Sequence, residues 1–354
     1  IREMRPISVL QEFGKLASKV LAERIGRILL KRPKILSKAQ RAFLRDGSVR
    51  QCIATLINVF EDFKEKRKLD NEKNLFFLAY DQVKAYDSVQ GFTIQASLER
   101  FNLPEEFISY VLSSLEDASS VFKTFHGLTD AFPITTSVRQ GDPLSPLVYI
   151  FITDALHEGL RTNPIYGCKT GYRFSNNSRI RISSLGYADD TCICAESWED
   201  IWMMHEWVRE FCFYHKFQLN PGKCKYFISN YVDQDNRWLW SVDGSSKLHP
   251  QSPRTPFRYL GIWLTMNLDW KEQIQVLNRM VMDWRRRAII GQIDPAQLKS
   301  SVTELLLPRM ELGLLFADIT EKMCNAWTKT IIFTLSRRMP TAHTINPYGF
   351  CFLS

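Results

Sequence analysis

The sequence predicts an α+β fold, and three observations support that class. Residues 75–80 form a continuous apolar run of strand length that ends abruptly at an acidic residue. Residues 179–195 contain two short apolar strands around an Asp-Asp pair. From Trp270 onward, apolar residues recur at helical spacing instead. Strands and helices that are grouped in this way, without regular alternation, indicate α+β.

The same patterns place the other elements along the chain. Pro33 ends the first helix, and Pro104 opens the fourth. The predicted helices are 11–32, 48–68, 90–101, 104–118, 145–160 and 197–215. The predicted strands are 75–80, 121–125, 132–137, 179–187, 191–195, 226–230 and 257–265. Residues 231–256 are polar and rich in Pro and Ser, which indicates an exposed excursion.

Length and composition exclude several classes of protein. The chain has 354 residues, which at roughly 150 residues per domain predicts about two domains. With 45% apolar and 24% charged residues it is typical of a folded globular protein. Neither a membrane-spanning run nor a secretory leader is present, and the 8 cysteines form no C-x-x-C pair. We therefore expect an intracellular protein with reduced thiols, and the first residue, Ile1, predicts a piece of a longer chain.

Positive charge is concentrated at the start of the chain. The net charge is +8, and residues 1–50 hold 13 Lys and Arg against 4 Asp and Glu. Basic side chains on one face of the first predicted helix are Lys15, Lys19, Arg27 and Lys31. The predicted packing face carries Leu16, Val20, Ile25 and Ile28. This geometry suits a phosphate backbone, although charge alone is more typical of a solvated helix face.

Carboxylates stand at the ends of two predicted strands. Asp81 follows the apolar run 75–80, and Asp189 and Asp190 lie between two short strands. Adjacent acids at the tip of a hairpin repel each other, and a divalent cation offsets this repulsion; oxygen ligands favour Mg²⁺. An isolated Asp-Asp pair usually marks a plain turn, but the flanking strands and the acid at Asp81 favour a metal site. Two ions about 4 Å apart would serve an in-line displacement.

A third segment, residues 138–146, precedes the apolar helix predicted at 145–160. Gly141 allows close approach of the backbone, and Arg139 and Gln140 offer hydrogen-bond donors. On its own, this segment is an ordinary start of a helix.

Taken in order, these segments resemble the reverse transcriptases, most closely those of non-LTR (LINE-type) retrotransposons. Residues 81–89 are similar to the first catalytic motif of that family, with an acid followed by Lys-Ala-aromatic-Asp. Residues 139–146 resemble its Arg-Gln-Gly-x-Pro-Leu-Ser-Pro segment, and residues 187–190 resemble its aromatic-Ala-Asp-Asp box. Further matches are residues 5–8, 40–43, 219–223 and 257–261. The resemblance covers about residues 1–335; Arg41 departs from it, standing where the family has a small residue.

The resemblance implies a right-hand polymerase with a small mixed or antiparallel palm sheet, flanking helices and a helical thumb. Fingers and palm would occupy residues 1–266, with the fingers at about 1–70 and 91–135, and the boundary lies near 266–269. The thumb would occupy residues 267–335. Residues 336–354 match nothing in the family and stay unassigned.

The resemblance also implies an RNA-directed DNA polymerase that extends a primer 3′-OH with dNTPs. Asp81 and Asp189 would be the principal ligands of two Mg²⁺ ions, with Mn²⁺ as a substitute, and Asp190 would assist them. Lys223 would be the general acid for pyrophosphate, with Lys225 as the alternative.

Nucleotide and nucleic-acid contacts follow from the same resemblance. Tyr86 would exclude the 2′-OH of a ribonucleotide, Arg5 would bind the triphosphate, and the incoming nucleotide would be contacted at Gln140, Arg139 and Gly141. Residues expected to contact the primer or the RNA template are Phe257, Tyr259, Leu260, Gly261, Lys15, Lys19, Arg27, Lys31, Arg279 and Arg286. Binding should weaken steeply with salt. We further expect fused domains such as an endonuclease in the parent protein, and a nuclear location.

Other functions fit parts of this pattern. A group II intron maturase and a telomerase are rival reverse transcriptases, and the Ala-Asp-Asp box favours the LINE-type interpretation by analogy. An RNA-dependent RNA polymerase is disfavoured by the bulky Tyr86. A degenerate protein that only binds nucleic acid is disfavoured because all three acids are present.

Overall fold

The computed structural model describes residues 12–115, 119–121, 123–133, 136–163, 169–175, 179–233, 236–291 and 294–338. Two compact units divide the chain, residues 1–253 and residues 254–354. Arg5 with its motif and the last 16 positions of the unassigned tail lie outside the described residues. Among the described helices, none combines the length and apolar character needed to cross a membrane.

The first unit is built from helices around one main sheet. Its helices are α1 Glu12–Lys31, α2 Val49–Leu69, α3 Gly91–Arg100, α4 Glu105–Ser113, α5 Ser145–Arg161 and α6 Trp198–His215. Its strands are β1 Phe76–Tyr80, β2 Ser119–Ser120, β3 Lys123–Thr124, β4 Gly127–Leu128, β5 Phe132–Pro133, β6 Tyr172–Arg173, β7 Arg181–Ile182, β8 Ser184–Tyr187, β9 Asp190–Ala195, β10 Lys225–Ile228, β11 Leu239–Trp240 and β12 Lys247–Leu248. The mixed helix and strand content confirms the α+β prediction.

The main sheet has four antiparallel strands in the order β10-β1-β9-β8. Helices cover both of its faces, and successive side chains of β1 pack against helices on opposite sides. Phe76 packs against Trp198 at the start of α6, with ring centroids 6.4 Å apart. Phe77 packs edge-on against Phe60 of α2 at 5.6 Å. Burial on both faces explains why the apolar run is continuous instead of alternating.

Local chemistry fixes α6, the helix beneath β1 and β9. Ser197 accepts a hydrogen bond from Asp200 N–H and caps the first turn. Lys216, with φ +62°, ends the helix in the left-handed conformation. His205 of this helix lies 2.9 Å from the Tyr80 hydroxyl, so α6 is joined to the last residue of β1.

The packing face of α1 differs from the prediction. Leu16, Val20 and Ile28 are exposed, whereas Ile25 and Leu29 are buried. The helix carries apolar residues on two faces, and only contact with the rest of the unit decides which of them is buried. The basic residues predicted for the solvent face are exposed, as expected.

The second unit joins a hairpin to a helical bundle. Its elements are β13 Phe257–Tyr259, β14 Ile262–Leu264, α7 Lys271–Ile290, α8 Pro295–Ser301, a π-helical turn Val302–Leu306, α9 Leu307–Phe316 and α10 Glu321–Arg338. Leu277 and Val281 are buried against Trp327, as the predicted apolar face of this region requires.

One prediction for this region needs correction. Residues 257–265 form a hairpin instead of one strand, because Leu260 (φ +46°) and Gly261 (φ +93°) reverse the chain. The two compact units divide at 253/254, and the boundary of fingers and palm with thumb near 266–269 stays a prediction. The hairpin belongs with the helices because Trp263 N–H donates to Gln273 Oε1 at 2.9 Å.

Candidate active site

The three predicted acids lie at one edge of the main sheet. Tyr80, the last residue of β1, pairs with Thr191 of β9. Extending that register by one residue sets Asp81 opposite Asp190, and Cα atoms of opposed residues are about 4.5–5.5 Å apart. Asp189 lies in the turn between β8 and β9, directly before Asp190, the first residue of β9. The sheet therefore brings together acids that are distant in the sequence.

Backbone hydrogen bonds hold the segment that begins at Asp81. Asn220 N–H donates to Asp81 O at 2.8 Å, and Val83 N–H donates to Gln218 O at 2.9 Å. These bonds continue the pairing of β1 with the β10 side of the sheet beyond the regular strands. The position of the Asp81 backbone consequently depends on main-chain groups.

Of the two candidate lysines, Lys223 lies close to one of the acids. Its Nζ lies 3.8 Å from Asp81 Oδ2, and both side chains are well exposed. An exposed pair of this kind is worth about 0–1 kcal/mol, so it contributes little to stability. Lys225 lies within β10, opposite Ala79. The geometry favours Lys223 as the general acid, and that role stays a prediction.

Tyr86 packs against an aromatic residue that sequence analysis did not single out. Its ring stacks on Tyr149 of α5, with centroids 4.9 Å apart and planes 12° apart. The Tyr149 hydroxyl donates to Gln82 Oε1 at 2.6 Å. Burial, and secondly the negative charge of Asp189, raise the pKa of both tyrosine hydroxyls. Two neutral phenols therefore lie within the field of this acid.

Tyr149 and Gln82 contact residues of the site although the sequence analysis gave neither of them a role. The available sequence feature was the single hydroxyl group in the apolar run 147–152 of this helix. A buried tyrosine usually hydrogen-bonds through its hydroxyl, and this one does so with the residue after Asp81.

The third motif is tied to the first by main-chain hydrogen bonds. Val138 N–H donates to Tyr86 O at 2.9 Å, and Ser137 N–H donates to Val89 O at 3.0 Å. The segment before α5 therefore lies beside the residue predicted to select the sugar. The structure brings the three motifs of the sequence into one region of the first unit.

Within the third motif, the predicted nucleotide contacts have different surroundings. Gly141 has φ +109°, a conformation that favours glycine. Arg139 donates from Nη2 to Ser114 O at 2.6 Å, at the end of α4. This bond gives Arg139 a structural role in joining two segments. The nucleotide contacts predicted for Arg139, Gln140 and Gly141 stay predictions.

The acids at the sheet edge offer oxygen ligands only, which suits a hard divalent cation. Within the part of the chain that the structure describes, no group of three or more His, Cys, Asp or Glu side chains is arranged to hold an ion. The juxtaposition of the strand ends follows from the register of β1, β8 and β9.

Basic residues also line a cavity beside the sheet. This cavity of about 270 Å³ lies between the end of α1 and the loop that follows it. Its lining includes Arg32, Lys38, Arg41 and Arg45. Gln40, whose side chain reaches the Asp189 turn, lines it as well. A polyanion bound in this cavity would lie next to the residues that support the acids.

Other predicted nucleic-acid contacts are partly engaged within the protein. Arg27 pairs with Glu23 at 3.2 Å on the exposed face of α1. In the second unit, Arg279 pairs with Glu272 at 2.9 Å. Arg286 pairs with Asp283 at 3.4 Å. All of these pairs are exposed, so they cost little to break in favour of phosphate groups.

The predicted primer-contact residues form the β13–β14 hairpin. Phe257 and Tyr259 are buried and anchor it. Leu260 and Gly261 form its tip. Their contact with a primer stays a prediction.

The fold resembles solved polymerase structures. The chain aligns with telomerase from Candida albicans, solved in complex with a fragment of telomeric RNA, at a TM-score of 0.50 and 12% identity. That alignment covers 92% of this chain and 53% of the other. The right-hand polymerase class predicted from the sequence is thereby confirmed.

Proteins with similar sequences indicate the family more specifically than the solved structures do. The chain is 24% identical to a Pol polyprotein of an R2 retrotransposable element from Popillia japonica, over 94% of this chain and 44% of the relative. It is 25% identical to the R2DM polyprotein of Drosophila melanogaster, over 75% of this chain and 24% of the relative. The chain thus spans less than half the length of these relatives.

The reverse transcriptase (RNA-dependent DNA polymerase) family matches residues 1–264. This chain belongs to that family, as its three motifs predicted. Its relationship to R2 elements also confirms the non-LTR retrotransposon resemblance.

Proposed function

We propose that this chain is the catalytic domain that copies an RNA template into DNA, extending a primer 3′-OH with dNTPs. The observation that carries the proposal is the meeting of the Asp81 strand end with the Asp189–Asp190 turn at one sheet edge. Family membership supports RNA-directed synthesis. The R2 relatives support an origin in a non-LTR retrotransposon.

Within this proposal, the three acids at the sheet edge are the ligands of the metal ions. Asp81 and Asp189 would hold two Mg²⁺ ions, with Asp190 assisting. Bound there, the ions would lower the pKa of the primer hydroxyl and neutralise charge on the leaving pyrophosphate. Lys223, whose Nζ is near Asp81, is placed to donate a proton to that leaving group. Tyr86, held by its stack on Tyr149, sets the space available at the sugar.

Template and primer are proposed to bind through their phosphates. The exposed basic face of α1 and the basic cavity near Arg41 lie in the same unit as the acids. Neutralising phosphates with such side chains releases counterions, so affinity falls linearly with the logarithm of salt concentration.

The test is dTTP incorporation on poly(rA)/oligo(dT) by the purified chain. We expect Mg²⁺-dependent extension that Asp189→Asn lowers by about 10³-fold, equivalent to about 4 kcal/mol. Primer–template affinity should change less than about twofold, since phosphate contacts dominate binding.

A matched control is available at Asp130, which is exposed in the loop after β4. Asp130→Asn should leave extension unchanged. Substantial extension by Asp189→Asn would refute the ligand assignment. Binding without extension by the wild-type chain would support the alternative of an inactive nucleic-acid-binding remnant.

A further inference from the structure

We propose that Gln40 is a positioning residue that holds the turn carrying Asp189 and Asp190. This inference rests on the proposed function, because Gln40 would position the proposed metal ligands without binding the metal itself. Gln40 is separated from Ala188 by 148 residues in the sequence. Its side chain is nevertheless 1% exposed and reaches this turn.

One side-chain amide binds both backbone groups of Ala188. Ala188 N–H donates to Gln40 Oε1 at 3.0 Å, and Gln40 Nε2 donates to Ala188 O at 3.2 Å. Ala188 has φ +57°, a left-handed conformation that costs an alanine about 1–2 kcal/mol. The surroundings must offset that cost, and the two hydrogen bonds from Gln40 do so.

The local network determines which way the Gln40 amide points. Besides Ala188, the N–H groups of Arg41 and Ala42 both donate to Oε1, each at 3.1 Å, and the Arg41 N–H is shared with Gly186 O. Nε2 donates in addition to Thr153 Oγ1 at 3.4 Å. The three N–H donors require the amide oxygen of Gln40 to face them, and the carbonyl of Ala188 requires the NH₂ group to face it. An acidic side chain or an apolar one of similar length cannot satisfy both.

The main chain around Gln40 is itself anchored to the sheet. Gly186 N–H donates to Ala39 O at 2.9 Å, and Arg41 N–H donates to Gly186 O at 3.0 Å. This parallel bridge fixes the 39–41 segment along the outer edge of β8. The Gln40 side chain therefore starts from a rigid backbone, which is the condition for precise positioning.

Loss of this amide would leave two backbone groups of Ala188 buried without partners. The turn would then move to find water or another donor, and Asp189 would move with it. A misplacement of about 1 Å at a reacting centre can cost about 10²-fold in rate. Gln40 also lines the basic cavity, but it is only 1% exposed and the charged side chains of that cavity are unchanged, so binding of the primer and template should stay intact. The expected defect is therefore in kcat.

The first test is Gln40→Met, which keeps the length and packing of the side chain and removes its hydrogen bonds. At saturating primer–template and dTTP, kcat should fall about 10- to 100-fold. The Mg²⁺ concentration for half-maximal rate should rise several-fold, and the Kd for primer–template should stay within about twofold. The matched control is Thr170→Val, which removes a buried hydroxyl that donates to Leu160 O at 2.6 Å. Thr170→Val should leave kcat and the Mg²⁺ dependence unchanged.

The second test does not depend on activity. Hydrogen–deuterium exchange of the peptide spanning residues 186–191 should accelerate at least about tenfold in Gln40→Met, because the Ala188 amide loses its acceptor. Exchange of the β1 peptide, residues 76–80, should stay unchanged, which shows that the sheet is folded.

These outcomes separate the two proposals. Unchanged exchange of the turn, or a kcat equal to that of the wild type, would overturn the role of Gln40. A lower active fraction with an unchanged Mg²⁺ requirement would likewise reduce Gln40 to a folding role and overturn the proposal. If the wild-type chain does not extend a primer at all, the proposed function fails, and the exchange experiment still decides whether Gln40 holds the turn.

Discussion

The two segments that carry the acids are held in different ways. The segment that begins at Asp81 is anchored by main-chain hydrogen bonds, including Val83 N–H to Gln218 O. The turn at Asp189 is held from behind by the side chain of Gln40. Main-chain anchoring tolerates most side-chain changes, whereas anchoring by one side chain is lost with a single substitution. The site is therefore more sensitive to mutation on the turn side.

The largest effect expected is common to both segments. Asp81→Asn should lower primer extension by about 10³-fold, as Asp189→Asn should, because each removes a charged ligand from the same centre. Single-turnover extension rates at saturating primer–template would compare them. If one variant were at least 10²-fold more active than the other, the acids would not serve one shared centre.

Gly186→Ala tests the turn from its other side. A Cβ at this position would lie 2.4 Å from His157 Nε2 and 3.3 Å from Gln40 Nε2. We expect kcat to fall about 10²-fold as the turn shifts, with a loss of about 1–3 kcal/mol in the free energy of unfolding from overpacking. Extension kinetics and urea denaturation measure the two effects. Gly91→Ala is the control, because nothing lies within 4 Å of its added Cβ.

Val83→Pro tests the main-chain anchoring of the other segment. The substitution removes the N–H that bonds Gln218 O, and we expect activity to fall about 30-fold, equivalent to about 2 kcal/mol. Val83→Ala keeps that N–H and should retain activity within about threefold. Equal losses in the two variants would mean that the Val83 side chain, and not its backbone, holds the segment.

Low pH should destabilise the contacts of two buried histidines with β1 and β8, the strands that lead to the two segments. Burial lowers the pKa of His157, which contacts Ser184 in β8, and of His205, which contacts Tyr80 in β1, to about 4. Below about pH 6.5 the unfolded chain binds a proton on each imidazole that the folded chain does not bind until about pH 4. Stability is therefore complete above pH 6.5 and decreases as pH falls toward 4.

The expected loss between pH 8 and pH 5 is about 2 kcal/mol in the free energy of unfolding for each histidine. Urea denaturation at both pH values measures it, with His157→Gln and His205→Gln as variants. Each variant should show a smaller decrease than the wild type. The same decrease in a variant and in the wild type would exclude that histidine as the cause.

Tyr86 lies where the two segments meet, since it follows Asp81 and is within the field of Asp189. Tyr86→Ala should raise ribonucleotide incorporation relative to deoxyribonucleotide incorporation by about tenfold, because space opens at the 2′ position. Competing rUTP and dTTP incorporation measures the ratio, and Tyr86→Phe should leave it unchanged. An unchanged ratio in Tyr86→Ala would remove this residue from sugar selection.

The sequence predicted the acids of the site better than their supports. The apolar runs that end at Asp81 and flank Asp189 mark both segments as strands, and the reverse transcriptase resemblance implied that these acids meet. The contact between Gln40 and Ala188 joins positions 148 residues apart through one side chain. Such a contact leaves no periodic pattern in the sequence.

The differences in the fold have similar physical causes. The buried face of α1 could not be chosen from the sequence, because both Leu16 and Leu29 lie on apolar stripes and only Leu29 is buried. The hairpin at 257–264 was missed because Leu260, a residue that rarely adopts positive φ, does so before Gly261. In each case tertiary contacts decided between two local alternatives.

The order of strands in the main sheet has a consequence for how the protein is made. In this sheet, β1 pairs with β9 and β10, which both follow it by more than 100 residues. The 39–41 segment can pair only after β8 has been synthesised. During synthesis the early elements leave the ribosome without their partners, and the sheet closes only once Ile228 has emerged. Such non-local pairing slows folding and prolongs the exposure of the apolar strands in the nascent chain.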